Sequence, residues 1–149
     1  MSTVAEARRF AAAGFRDITY AVPVAPSKLD ALAEIARGLH RLRLDIDHIR
    51  TASQAEIAAK RHGLRLEVLL EMDCGDGRCG VDPDDPEALE LAKRLADSRH
   101  LELTGIMTHG GQSYRGDPHA AATAERDRTV AFADRLRAAC VEVREVSIG

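Results

Sequence analysis

Two hydrophobic rhythms alternate along this chain, one spaced by three and four residues and one spaced by two. Thr3 to Ala13 is alanine-rich and stops at Gly14, where a helix C-terminus favours glycine. Asp17 to Val22 contains Ile18, Thr19 and Tyr20 and predicts a short strand. Pro23 and Pro26 punctuate the turn that follows. Ser27 stands where it could cap a helix whose apolar face is Leu29, Leu32, Ile35 and Ala36, ended by Gly38. Leu42, Leu44 and Ile46 alternate as a second strand. Thr51 or Ser53 opens a third helix through Ala55, Ile57 and Ala58, closed by Gly63. Leu64 to Met72 is apolar enough for a buried strand. Asp82-Pro83-Asp84-Asp85-Pro86 then starts a helix, since acids suit its positive end and Pro86 its first turn. Its apolar face is Ala88, Leu91, Ala92 and Leu95. Leu101 to Thr108 is a fourth strand. Ala120 to Ala139 is a long helix with Val130, Ala133 and Leu136 on one face, and Val141 to Ile148 is a fifth strand.

Helix and strand therefore alternate five times, in units of roughly 25–35 residues, the size of βαβ crossovers. That order predicts an α/β fold with a parallel sheet of about five βα units. No low-complexity segment or linker divides residues 1–149. Two architectures fit: an open doubly wound sheet, or a partial (β/α)8 TIM barrel. A complete barrel takes about 250 residues and eight strands, so a barrel of this length is an arc.

Composition narrows the partners. Aromatic residues are 3% of the chain and there is no Trp, so the core must be aliphatic. The net charge is −3 and the bases are interspersed with acids, which argues against nucleic acid or an anionic membrane as partner. No apolar run approaches the ~20 residues of a membrane span, and Met1 to Ala7 does not read as a signal peptide. Three cysteines, an odd number, suit a reducing, cytoplasmic location. Cys74 and Cys79 lack companion ligands and read as free thiols near a loop; Cys140 reads as a small packed apolar residue.

Two strands empty into glycine-rich polar loops, the place where α/β proteins bind ligands. The first is Asp73-Cys74-Gly75-Asp76-Gly77-Arg78-Cys79-Gly80. Arg78 in that setting is either a solvated turn residue or a fork of donors facing a ligand, and its glycine neighbours favour the second. Asp73 could hold the loop by bonding backbone amides. The loop is not a dinucleotide fingerprint, because no helix follows at the required place. The second loop is Thr108-His109-Gly110-Gly111-Gln112-Ser113-Tyr114. His109 can stack on a ligand or donate a hydrogen bond to it, and a ligand-facing role is preferred over a structural one. His40, His48, His62, His100 and His119 read as surface residues. Ser147 and Gly149, at the end of the last strand, suit a phosphate held by backbone amides.

Taken in order, Phe15 to Pro23, Asp73 to Val81, Thr108 to Tyr114 and Val146 to Gly149 resemble the N-terminal barrel of the alanine racemase-like pyridoxal phosphate enzymes, in the D-threonine aldolase and D-serine dehydratase branch. The resemblance implies pyridoxal phosphate as cofactor and a small D-amino acid as substrate, cleaved by retro-aldol chemistry or dehydrated. It places Arg78 at the polar edge of the pyridine ring, His109 beside the ring, and Ser147 and Gly149 at the phosphate. Tyr114 has no assigned role. It also implies that the domain lacks the family's first strand with its Schiff-base lysine, and the C-terminal β-domain with its divalent metal. Lys28, Lys60 and Lys93 read as helix-surface residues, so little turnover is expected of the chain alone. An arc of barrel has open edges, which invite self-association. A non-catalytic remnant and an unrelated open α/β domain binding a phosphorylated small molecule are the alternatives.

Overall fold

The computed structural model describes all of residues 1–149. Five strands form one parallel sheet: β1 (Asp17–Pro23), β2 (Arg41–Ile46), β3 (Leu66–Met72), β4 (Leu101–Thr108) and β5 (Glu145–Ser147). Helices α1 (Val4–Ala12), α2 (Leu29–Ala36), α3 (Ile49–His62), α4 (Pro86–Ala96) and α5 (Pro118–Ala138) alternate with them. The strands lie side by side in chain order, β1-β2-β3-β4-β5. A doubly wound sheet reverses that order at a switch point. This one never does, so the arrangement is a barrel arc.

Alternation along the strands gives the sheet two unlike faces. Ile18, Tyr20, Leu42, Leu44, Ile46, Leu66, Val68, Leu70 and Ile106 point toward the helices and are all less than a tenth exposed. They form one core with Ala55, Ala59, Leu91, Leu95, Phe132 and Leu136. The opposite face is charged. Arg43 of β2 reaches Glu145 of β5 at 2.7 Å and Asp17 of β1 at 2.7 Å. On a flat sheet β2 and β5 would stand roughly 14 Å apart, so the curl brings these side chains together across the concavity.

Several boundaries differ from the sequence expectation. Ser27 does not cap α2; it lies in a one-turn 3-10 helix, Pro26–Lys28, that leads directly into it. α3 opens at Ile49, two residues before Thr51, because the His48 ring accepts a hydrogen bond from the Arg50 amide at 3.1 Å. His48 is thus a helix cap. Ile57 and Val130 are about half exposed, and Ala52, Ala59, Thr129 and Phe132 take the inward positions instead. Cys140 is exposed in a left-handed conformation, φ 62°, where it turns the chain after α5. β5 is only Glu145–Ser147, since Val141 and Val143 pack into the core before the ladder begins. Lys28 is half-buried, its amine donating to the Tyr20 hydroxyl at 3.0 Å.

Candidate active site

The carboxyl ends of β2, β3, β4 and β5 carry the polar loops. The loop after β3 is fixed by Asp73, whose Oδ1 accepts from the Gly75 amide at 2.8 Å and the Gly77 amide at 3.1 Å. Asp73 therefore shapes the loop, as one of its sequence readings anticipated. Val81 returns alongside the strand, its amide donating to the Glu71 carbonyl at 2.9 Å while its carbonyl accepts from the Asp73 amide at 2.9 Å. Only glycine fits at position 80. Its φ is +96° and a Cβ would lie 2.5 Å from the Asp73 nitrogen.

Arg78 is exposed in this loop, with its Nε donating to the Cys79 sulfur at 3.5 Å. The Cys79 thiol in turn donates to Glu71 Oε1 at 2.8 Å. Burial and that hydrogen bond to a carboxylate push the Cys79 thiol up to about 11, so it is a poor nucleophile and serves as a bridge. Burial also raises the Glu71 carboxyl above the usual range, against the pull of the Cys79 hydrogen bond and of Arg78 and His109. Arg78 and His109 both act electrostatically on Glu71, which is their common neighbour.

His109 is half-buried just past β4, its ring centroid 6.1 Å from that of the exposed Tyr114. Its carbonyl accepts from the Cys74 thiol at 3.2 Å. Ser147 pairs with Met107 in the β4–β5 ladder and is half-buried. Gly149 packs directly on the tip of β4: a Cβ there would stand 2.9 Å from the Thr108 carbonyl oxygen and 3.0 Å from His109 Cα. Arg78, His109, Ser147 and Gly149 thus all lie on the rim at the carboxyl ends of three neighbouring strands.

Sequence reasoning missed Glu125. This α5 residue is 2% exposed and accepts from the Thr108 hydroxyl at 2.5 Å and the Gly149 amide at 3.2 Å. It fastens the tips of β4 and β5 to the helix behind them. No sequence signal marks it, since it sits in a run of charged residues that reads as a solvated helix face. Replacing it with alanine strands the buried Thr108 hydroxyl and frees the amide of the exposed Gly149. Glu125→Ala is expected to lose about 1–3 kcal/mol in urea unfolding, with Glu125→Gln, which keeps an acceptor, losing less than half as much.

A family model described as alanine racemase, N-terminal domain, matches residues 1–149. The chain belongs to that family. This alanine racemase N-terminal domain is 37% identical over 153 residues to D-threo-3-hydroxyaspartate dehydratase of Delftia sp. (strain HT23), covering 100% of the chain and 40% of that protein. The solved structure of that dehydratase superposes with a TM-score of 0.92 over 99% of the chain. The crystal structure of D-threonine aldolase from Filomicrobium marinum is 30% identical, with a TM-score of 0.89, over 100% of this chain and 41% of that one. An alanine racemase of Clostridium difficile, 17% identical with a TM-score of 0.84, shares the fold. The domain thus spans about 40% of the length of the relatives it matches. No helix in it is long and apolar enough to cross a membrane.

Proposed function

We propose that this domain forms the cofactor face of a pyridoxal phosphate-dependent lyase acting on 3-hydroxy D-amino acids, by retro-aldol cleavage or by dehydration. One observation supports the reading: a permanently charged guanidinium, an imidazole, a hydroxyl and a close-packed glycine follow or end the neighbouring strands β3, β4 and β5 on the same side of the sheet. That donor set suits an anionic, aromatic ligand. The relatives are named for both reactions, on hydroxyaspartate, threonine and serine.

Bound pyridoxal phosphate supplies an electron sink for the bond broken at Cα. The domain's own residues bind and orient it. Arg78 would donate to the polar edge of the ring and keep its proton throughout, because a guanidinium does not deprotonate. His109 would lie beside the ring. Ser147 would offer its hydroxyl to the phosphate, and Gly149 would let the backbone come close. The Gly149 amide already donates to Glu125, so Ser147 is the freer of the two donors.

None of the three lysines is placed to hold the cofactor covalently on this face. Lys28 bonds Tyr20 behind the sheet, Lys93 pairs with Glu90, and Lys60 is exposed on α3. Little turnover is therefore proposed for the domain by itself. The outer edge of β1, which pairs only with Met1, and the three-residue β5 favour a second reading, a self-associating or non-catalytic binding module.

Absorbance titration with pyridoxal phosphate tests the first reading. Arg78→Ala is expected to weaken binding about tenfold, close to 1.4 kcal/mol. Borohydride treatment is expected to leave no adduct on Lys28, Lys60 or Lys93. A total lack of binding, by the domain and by a chimera that completes it with the rest of a relative, would remove the cofactor reading.

A further inference from the structure

The concave face of the sheet is charged in two tiers. Toward the amino ends of the strands the charges meet in pairs: Arg43 with Glu145 and Asp17, Arg41 with Glu67, Arg144 with Glu102. That tier leaves only single atoms without a hydrogen bond, Arg43 Nε and Glu67 Oε2, whereas one tier nearer the rim no base pairs with the acids. Asp45 is fully buried, and neither of its carboxylate oxygens has a hydrogen-bond partner. Glu71, 2% exposed, bonds Cys79 through Oε1 and leaves Oε2 without a partner. The two residues share a face on neighbouring strands. Asp45 lies opposite Leu69, and Glu71 is the next residue of β3 on that side.

The groups around this pair do not satisfy it. Asp47, from the end of β2, is another acid and accepts from the Gly80 amide at 3.3 Å. Arg43, below, is held by Glu145 and Asp17 through its two terminal nitrogens, and its Nε, though buried, donates to neither Asp45 nor Glu71. The Met1 ammonium, at the β1 edge, donates to the Thr19 carbonyl at 3.1 Å. Arg78 is turned to Cys79 at the surface, and His109 stands beyond Glu71 on the tip of β4. A buried carboxylate without donors is costly, so the pair calls for a cation that brings its own hydrogen bonds.

The number of vacant acceptors indicates which cation. Within this pair three oxygens lack partners, Asp45 Oδ1 and Oδ2 and Glu71 Oε2. A primary ammonium carries three N–H donors. A divalent metal would want about six oxygen ligands, and no group of three or more His, Cys, Asp or Glu side chains has metal-holding geometry here.

We propose that Asp45 and Glu71 form a binding site for a primary ammonium group on the concave face. The ammonium belongs to an amino-acid substrate or to a lysine side chain packed against this face, and the test separates the two. Because Asp45 holds its proton up to about 8, an incoming ammonium displaces that proton to solvent at neutral pH.

The experiment uses the whole chain without pyridoxal phosphate, by calorimetric titration in two buffers of different ionisation enthalpy and by thermal unfolding. Methylammonium is expected to bind saturably, raise the melting temperature and release a proton. Tetramethylammonium, which has no N–H, is expected to bind at least about tenfold more weakly. Asp45→Asn and Glu71→Gln, each checked for its fold by circular dichroism, are each expected to weaken methylammonium about tenfold or more. Tighter binding of D-threonine than of Nα-acetyl-lysine N-methylamide assigns the ammonium to substrate; the reverse order assigns it to a side chain. The proposal is overturned by no saturable binding of methylammonium, by equal binding of tetramethylammonium, or by undiminished binding in both variants. Its outcome is separate from the cofactor reading, which stands or falls on pyridoxal phosphate binding.

Discussion

Asp45→Asn is expected to stabilise this chain above neutral pH and to flatten its pH dependence. Burial, with repulsion from Glu71 and Asp47, moves the Asp45 carboxyl from the ordinary 3.8 up to about 8, outweighing the opposing pull of the Met1 ammonium and Arg43. The folded chain therefore holds this proton more tightly than the unfolded chain does. Between those two values the folded state binds more protons, so stability falls as pH rises and levels off above about 8. The slope from this one group approaches about 1.4 kcal/mol per pH unit. Summed over the window, the loss is several kcal/mol, a large share of a domain's stability. Asparagine has nearly the same shape and no charge to desolvate, so its urea midpoint should fall less steeply across the window, the remaining slope coming from groups such as Glu71 whose carboxyl is also raised. Parallel pH profiles for the variant and the natural sequence would refute this account of Asp45.

Gly105→Ala is the second large effect, and its cause is steric. β4 shifts register against β3 between Leu103 and Gly105, and Gly105 then presses against β5. A Cβ at this position would lie 1.9 Å from the Glu145 carbonyl oxygen and 2.7 Å from its carbonyl carbon. Backbone cannot swing aside as a side-chain tip can, so β5 must move outward. That movement breaks the Arg43–Glu145 ion pair and draws Ser147 and Gly149 away from His109. The expected loss is about 3 kcal/mol, at the upper end of ordinary overpacking. Pyridoxal phosphate should bind more weakly to whatever fraction stays folded. Gly116→Ala is the control: a Cβ there has nothing nearer than 3.8 Å, and the change should stay within about 0.5 kcal/mol. Equal urea midpoints for the two variants would mean that the β4–β5 approach is looser than the structure shows.

The two residues behind these effects were unequally legible. Arg41, Arg43 and Asp45 alternate with Leu42, Leu44 and Ile46, so a polar face on β2 follows from the same period that defines its apolar face. What the period does not reveal is that Asp45 ends up buried without a partner. That depends on the curl of the sheet and on which charges three strands away can reach across it. Gly105 looks like an ordinary weak point in a strand, and only the nearness of Glu145 explains it.

The rim divides in the same way. The glycine spacing around Arg78 and the polar residues after Thr108 marked both loops, because a chain that must turn sharply at a strand end uses glycine and short polar residues. Glu125 gave no such mark. A buried acid in a helix rich in Arg and Asp is indistinguishable by composition from its solvated neighbours, and only Thr108 and Gly149 give it a purpose. The His48 cap and the exposure of Ile57 and Val130 belong here too, since helix ends and helix rotation are set by the neighbour that packs first.

By itself the sequence determined the alternation of helices and strands, the aliphatic core, the parallel sheet and the end of the sheet where polar loops collect. These follow from local periods and from residue types whose backbone preferences act over a few positions. The periods alone left open sheet and barrel arc undecided; the family resemblance implied the barrel arc and the strand order bore it out, while tertiary structure decided the pairing of concave charges, the role of Glu125 and the isolation of Asp45 and Glu71. Those depend on contacts between residues tens of positions apart, and contact, burial and missing hydrogen-bond partners exist only once the chain has closed on itself.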